Sequence, residues 1–145
     1  MTPGLLRDYA LKFVGQPYKW GGDDPIEGYD CSGLVIELLT ATGVFPYGYD
    51  ATSRQIMIDL IAKGAQKVNT PHFGSICFYG KNPDAITHVS FAMDKDTVIE
   101  AGGGGSANTT KEVAAKTNAF VRLRPITFRK DLLVVCNPIY KFTGV

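Results

Sequence analysis

Apolar positions recur at helical spacing over the first half of the chain and at strand spacing over the second. Between residues 4 and 14, Leu5, Leu6, Tyr9, Ala10 and Phe13 fall on one helical face, and Gly15 and Pro17 end the segment. A second helix is expected from about Cys31 to Thr42, through Leu34-Val35-Ile36-Glu37-Leu38-Leu39, stopping at Gly43. A third is expected from about Thr52 to Ala62, with Ile56, Leu60 and Ile61 inward and Gly64 as its C-terminal cap. Residues 15 to 30 read as irregular loop, and Pro46-Tyr47-Gly48-Tyr49 as a turn. From there the texture changes to short β-branched or aromatic runs at residues 74–79, 86–93, 97–101, 119–123 and 132–135, separated by Gly, Pro, Asn and Asp. Gly102 to Gly105 reads as loop, since no lysine and helix follow as in a phosphate-binding loop, and residues 107 to 117 as a short helical turn. Helices first and strands afterwards predict an α+β domain, with N-terminal helices packed against a central antiparallel β-sheet.

Composition narrows the function classes. With 145 residues, 45% hydrophobic and 20% charged, the chain is expected to fold as one domain, 1–145, around a proper core. A net charge of +1 gives no basis for polyanion binding, so no nucleic-acid partner is expected. The short basic patches, Arg122 to Arg124 and Arg129-Lys130, read as decoration of strand or loop surfaces. No apolar run is long enough to cross a bilayer, and Met1-Thr2-Pro3-Gly4 lacks the build of a secretory signal, so a soluble protein with no membrane partner is expected. Three cysteines cannot all pair. Cys77 and Cys136 lie in apolar strand-like runs and are assigned to the core, whereas Cys31 reads as exposed. No CxxC or HxxxH spacing occurs, so neither a metal nor another cofactor is expected.

The candidate chemistry sits in Asp30-Cys31-Ser32-Gly33, where a glycine-rich loop turns into the second helix. A thiol in a helix's first turn feels the positive end of the dipole, which favours the nucleophilic thiolate. Such a nucleophile needs a base, and only His72 and His88 are available. His72 lies in a turn between Pro71 and Phe73; His88 lies in the strand Ile86-Thr87-His88-Val89-Ser90-Phe91, a more rigid platform, and is preferred. The segment Met93 to Thr97 reads as a hairpin turn, so Glu100, twelve residues beyond His88, would face it from the next strand and orient its ring. The reaction these groups suit is acyl transfer: Cys31 attacks an amide carbonyl, the Cys31 backbone N–H receives the oxyanion, His88 protonates the leaving amine and water resolves the thioester.

Pro17-Tyr18-x-Trp20-Gly21-Gly22 followed by Gly28-Tyr29-Asp30-Cys31-Ser32-Gly33-Leu34-Val35 resembles the signature of the NlpC/p60-type cell-wall cysteine peptidases, which have a papain-like fold. Thr52-Ser53-x-Gln55, Gly74-Ser75-Ile76-x-Phe78 and His88-Val89-Ser90-Phe91 resemble later segments of that family in order, and the resemblance covers about residues 5 to 101. It implies hydrolysis of peptidoglycan stem peptides, commonly between D-γ-glutamyl and a diamino acid. Cys31, His88 and Glu100 would be the catalytic residues, and Tyr18, Asp30 and Ser32 would shape the substrate pocket, with no cofactor. Three positions depart from the family pattern. Glu100 stands where histidine, asparagine or glutamine is usual, Ala51 where arginine precedes the Thr-Ser pair, and Ser75 in place of a turn aspartate. The Asp50-Ala51-Thr52 variant and the compact build resemble versions in phage tails and lysis systems, which would place the protein in a virion or on the wall after lysis. Two other readings use the same residues: an amidase or acyltransferase, and a catalytically silent peptidoglycan-binding or structural module of a larger assembly.

Overall fold

Each of the long helices opens on a side chain that satisfies its free N–H groups. Thr2 Oγ1 accepts from Leu5 N (3.1 Å) at the start of α1 (Pro3–Leu11). Asp30 Oδ1 accepts from Gly33 N (2.7 Å) at the start of α2 (Cys31–Ala41), and Thr52 Oγ1 from Gln55 N (3.2 Å) at the start of α3 (Ser53–Ala62). A computed structural model describes residues 1–24, 28–102 and 110–144. Among these the remaining elements are β1 (Asp23–Asp24), β2 (Gly28–Tyr29), β3 (Gln66–Val68), β4 (Ile76–Gly80), β5 (Ile86–Ala92), β6 (Thr97–Gly102), α4 (Lys111–Thr117), β7 (Phe120–Pro125), a 3-10 turn (Ile126–Phe128) and β8 (Leu132–Asn137).

The larger sheet has six strands in the order β3-β8-β4-β5-β6-β7, every neighbouring pair antiparallel. This is the expected α+β architecture with N-terminal helices on an antiparallel sheet. Alternate residues sort to opposite faces. Phe78, Val89, Phe91, Ile99, Ala101 and Val121 join the main core with Leu34, Leu38, Ile56 and Leu60 from the helices. Cys77, Tyr79, Ala92 and Val98 form a smaller cluster on the other face with Ile126 and Val135. Cys77 and Cys136 are both fully buried, as their runs predicted.

Several local expectations are corrected. The buried stripe of α1 is Leu6 and Ala10, extended by Phe13 beyond its end, while Leu5, one residue off that stripe, is 58% exposed. In α3 the inward set is Ile56, Met57 and Leu60, and Ile61 is 38% exposed. Residues 15 to 30 are not wholly irregular: β1 and β2 pair there, and Tyr18 forms a parallel bridge to Tyr29. The same segment is strapped to the end of the sheet by Gly15 N–H to Val121 O (2.9 Å) and Tyr18 N–H to Ala119 O (2.9 Å). β3 was unforeseen, because Gln66-Lys67-Val68 shows no apolar alternation and is held by backbone pairing to β8. Gly102 belongs to β6, and the helical turn expected over 107–117 is α4; residues 103–105 and 107–109 lie outside the described residues. Ser75 does more than close a turn, since its hydroxyl accepts from His72 N (3.0 Å) and donates to Asn137 Oδ1 (2.5 Å), tying the turn to β8.

Gly33 is where the loop and α2 meet. A Cβ there would run into the carbonyl oxygen of Gly22 and lie 2.9 Å from Asp30 Oδ1, so only glycine lets the glycine-rich loop rest on the helix's first turn. Gly33→Ala is expected to destabilise the protein by about 1–3 kcal/mol, the usual range for overpacking. Urea unfolding checks it, and an unchanged midpoint would show that the loop moves aside freely.

Candidate active site

Capping of α2 places the thiol. Asp30 Oδ2 accepts from Gly21 N (3.1 Å) while its Oδ1 takes Gly33 N and the Ser32 hydroxyl (3.1 Å), so one carboxylate holds the loop, the helix start and Ser32 together. Cys31 is therefore the first residue of α2, and its own N–H is among those that a helix leaves without an intrahelical partner. Its sulfur lies 3.7 Å from Ser53 Oγ, at the start of α3. Tyr18 packs beside it, almost fully buried, and burial first, then the charges of Cys31 and Asp30, push its phenol well above the ordinary tyrosine range. These neighbours leave Cys31 half-buried rather than exposed.

The candidate base comes from the sheet. His88 on β5 is buried, and its ring lines the same cleft as the Cys31 thiol, close enough for each to shift the titration of the other. Its Nε2 lies 3.1 Å from Glu100 Oε2, which leaves Nδ1 for the sulfur. Glu100 is 0% exposed, not turned to solvent. It does not stand squarely opposite His88 either. The β5–β6 register pairs Phe91 with Ile99 and Ala92 with Val98, which carries Glu100 towards Ser90, so the two side chains meet on the diagonal. The ring N–H is not aimed along the line to the oxygen, so the contact is an ion pair rather than an aligned hydrogen bond. The other carboxylate oxygen, Oε1, lies 3.3 Å from Arg124 Nε on β7.

Burial by itself would raise the Cys31 thiol, but the hydrogen bond and charge of His88, helped by the Ser53 hydroxyl, outweigh it and hold the thiol below its ordinary value. For His88, burial by itself would lower the imidazole, but the neighbouring Cys31 and Glu100 outweigh it and raise it to about 9. The two shifts describe one coupled pair, in which thiolate and imidazolium support each other.

Tyr18, Asp30, Cys31, Ser32, His88 and Glu100 all line one cleft of about 520 Å³. His72 does not reach it: the ring is exposed, with Nδ1 against the Phe73 carbonyl (2.9 Å). The cleft also holds residues to which the sequence assigned no role. Trp20 stands half-exposed at its rim, Ser53 contacts the sulfur, and Phe128 sets its ring edge-on to His88 with centroids 5.7 Å apart. Arg129 is gripped by both oxygens of Asp131 (2.9 and 2.7 Å) and donates to Thr87 Oγ1 (3.0 Å). Arg124 and Arg129 are thus not surface decoration. Their only sequence signal was charge within a strand and a loop, and what they face depends on sheet register and on the 126–128 turn.

The sequence matches the NlpC/P60 family over residues 15–123. The chain belongs to that family. Among curated relatives, it is 33% identical over 99 residues to the bifunctional muramidase/DL-endopeptidase CwlT of Bacillus subtilis (strain 168), a match covering 66% of this chain and 28% of that protein. A shorter match, 56% identical over 25 residues, covers 17% of this chain and 9% of murein DD-endopeptidase MepH of Escherichia coli (strain K12). The matched segments thus cover less than a third of the length of either relative. Among solved structures, the NlpC/p60 domain of peptidoglycan hydrolase SagA superposes with a TM-score of 0.63 at 22% identity, covering 93% of this chain and 97% of that one. RipD of Mycobacterium tuberculosis, described as a non-catalytic NlpC/p60 domain protein adapted to peptidoglycan binding, superposes with a TM-score of 0.64 at 18% identity, covering 94% and 96%. Within this NlpC/P60 chain, no group of His, Cys, Asp and Glu among the described residues could hold a metal ion, and no described helix is long and apolar enough to cross a membrane.

Proposed function

We propose that this NlpC/P60 chain is a cysteine peptidase that hydrolyses peptidoglycan stem peptides, at the bond between D-γ-glutamyl and a diamino acid. One observation carries the reading: a thiol at the opening of α2 shares a cleft with a histidine that favours its thiolate, and a buried carboxylate backs that histidine from the next strand. A binding-only module has no need of a thiol, an imidazole and a carboxylate placed in that order.

The proposed steps follow from the geometry. The Cys31 thiolate attacks the amide carbonyl, and its own backbone N–H, which has no intrahelical partner at the helix start, receives the developing oxyanion. As the C–N bond breaks, the His88 imidazolium gives its proton to the leaving amine, leaving an acyl thioester. His88, now neutral, takes a proton from water, whose oxygen attacks the thioester and releases Cys31. Tyr18, Asp30 and Ser32 shape the binding side of the cleft. Asp30 does so largely by fixing the loop, since its two oxygens are occupied by Gly21, Ser32 and Gly33. Arg129 supplies the one guanidinium or ammonium group among the described residues of the cleft. A γ-glutamyl residue carries a free α-carboxylate beside the scissile amide, and Arg129 is proposed to attract it.

Digestion of purified muropeptides, with the products weighed by mass spectrometry, tests the reading. Release of a fragment ending in D-glutamate is expected, and amidation of its α-carboxyl should slow cleavage. Intact muropeptides after prolonged incubation, or cleavage at another bond, would overturn the assignment.

A further inference from the structure

Glu100 poses a physical problem that His88 does not solve. A fully buried carboxylate has two oxygens to satisfy, and one imidazolium can face only one of them. Its Oε2 lies 3.1 Å from His88 Nε2 and its Oε1 lies 3.3 Å from Arg124 Nε, so two cations hold it from opposite strands. The β6–β7 register sets Arg122 directly across from Glu100 and Arg124 across from Val98. Even so, Arg122 turns away and donates to the carbonyls of Asn118 and Phe120, while Arg124 reaches Glu100 on the diagonal. The Arg124 guanidinium carbon sits 4.8 Å from the centre of the Phe128 ring, and the same ring stands edge-on to His88. One aromatic side chain therefore packs both the cation and the base. Gly102 completes the seat, because a Cβ at that position would collide with the Glu100 carboxylate.

We propose that Arg124 is a positioning residue acting on the base through Glu100: it holds Oε1 so that Oε2 stays at His88, and it shares the carboxylate's charge so that the imidazolium can release its proton. A carboxylate paired with His88 alone would hold that proton too firmly for transfer to a leaving amine. The other charged or titratable groups near the pair are few. Facing His88 are Cys31 from α2, Tyr79 from β4, and Asp131 just ahead of β8, which is itself locked to Arg129. Facing Glu100, besides His88 and Arg124, is Tyr79.

The kinetic arm of the test rests on the peptidase reading; the titration arm does not. The chain has two histidines, so their ring signals in an NMR titration separate cleanly, with exposed His72 as the internal reference. In a Cys31→Ala background, Arg124→Leu should raise the His88 midpoint by about one pH unit, because a nearby positive charge is removed, and leave His72 unmoved. Arg124→Lys should keep the midpoint near its original place. With Cys31 intact, Arg124→Leu should lower kcat on muropeptides by roughly 10-fold with KM little changed, and that loss should vanish when Glu100→Gln is also present. A His88 midpoint that stays or falls would overturn the proposal, as would a kcat loss that persists undiminished beside Glu100→Gln. Should Arg124→Leu fail to fold, Arg124→Gln removes the same charge in a polar frame and is read in the same way. If the parent protein cleaves no muropeptide, the peptidase reading fails while the titration still decides the role of Arg124.

Discussion

Cys31→Ser and His88→Ala are each expected to lose at least about 10⁴-fold in kcat on muropeptides, the scale seen when a nucleophile or its base is removed from a coupled unit. Serine keeps the size and the polarity of the site but not the acidity. A hydroxyl is far less ionised than a thiol already held below its ordinary range, so it cannot form the ion pair with His88. Removing His88 takes away both the partner that lowers the thiol and the acid proposed to protonate the leaving amine. Neither change empties the main core, since neither residue is among its buried apolar members. Thermal unfolding within a few degrees of the parent should therefore accompany the loss in Cys31→Ser, whereas His88→Ala, which leaves buried Glu100 with Arg124 alone, should melt lower but still cooperatively. His72→Ala is the control, because that ring lies outside the cleft. The measurement is product formation by mass spectrometry under single-turnover conditions. Equal losses at both histidines would remove His88 from its place as the base.

Glu100→Gln should shift the pH dependence as well as the rate. The thiolate–imidazolium pair exists between the lowered titration of Cys31 and that of His88 at about 9, so the parent's activity should fall as pH rises through about 9. Glutamine carries no charge, so one of the two partners that raise His88 disappears, and the alkaline limb should move to lower pH. A kcat loss of roughly 10- to 100-fold at neutral pH should accompany the shift, within the range of acid–base contributions. Stability follows the same sign. Because the folded-state value of His88 is raised, its stabilising contribution is complete below the ordinary imidazole range and is lost as pH climbs through about 9. The stability gap between parent and variant from this source should therefore narrow across that interval. A pH–rate profile, together with denaturant unfolding at several pH values, checks both statements. An alkaline limb that stays in place would remove Glu100 from the electrostatics of the base.

Much of this arrangement is legible in the amino-acid sequence. Asp30-Cys31-Ser32-Gly33 announced a capped helix start, because Asp is a strong N-cap and Gly33 tolerates close backbone approach. The hairpin at Met93 to Thr97 was legible because Asp94 caps it locally, accepting from Asp96 N (2.8 Å) and Thr97 N (2.7 Å). That turn brought His88 and Glu100 within reach of each other. Elements held by their own side chains leave such marks. β3, the β1–β2 pairing and the exposure of Leu5 and Ile61 left none, since partners distant in the chain decide them.

By itself, then, the amino-acid sequence determined the helical thiol, the three long helices ahead of the main sheet, and the placing of His88 and Glu100 on the two strands of one hairpin, because each depends on local pattern, capping or the spacing of that hairpin. Only the tertiary structure decided that Glu100 is sealed from water, that it meets His88 on the diagonal, and that Arg124 holds its other oxygen. It also decided that Phe128, Arg129 and Ser53 join the cleft. Those outcomes depend on the register of β5, β6 and β7 and on the fold of residues 126–131, where strands far apart in the chain pair through backbone groups common to every residue. Backbone pairing carries little information about side-chain type, so charge neighbours across strands emerge only once the sheet is assembled.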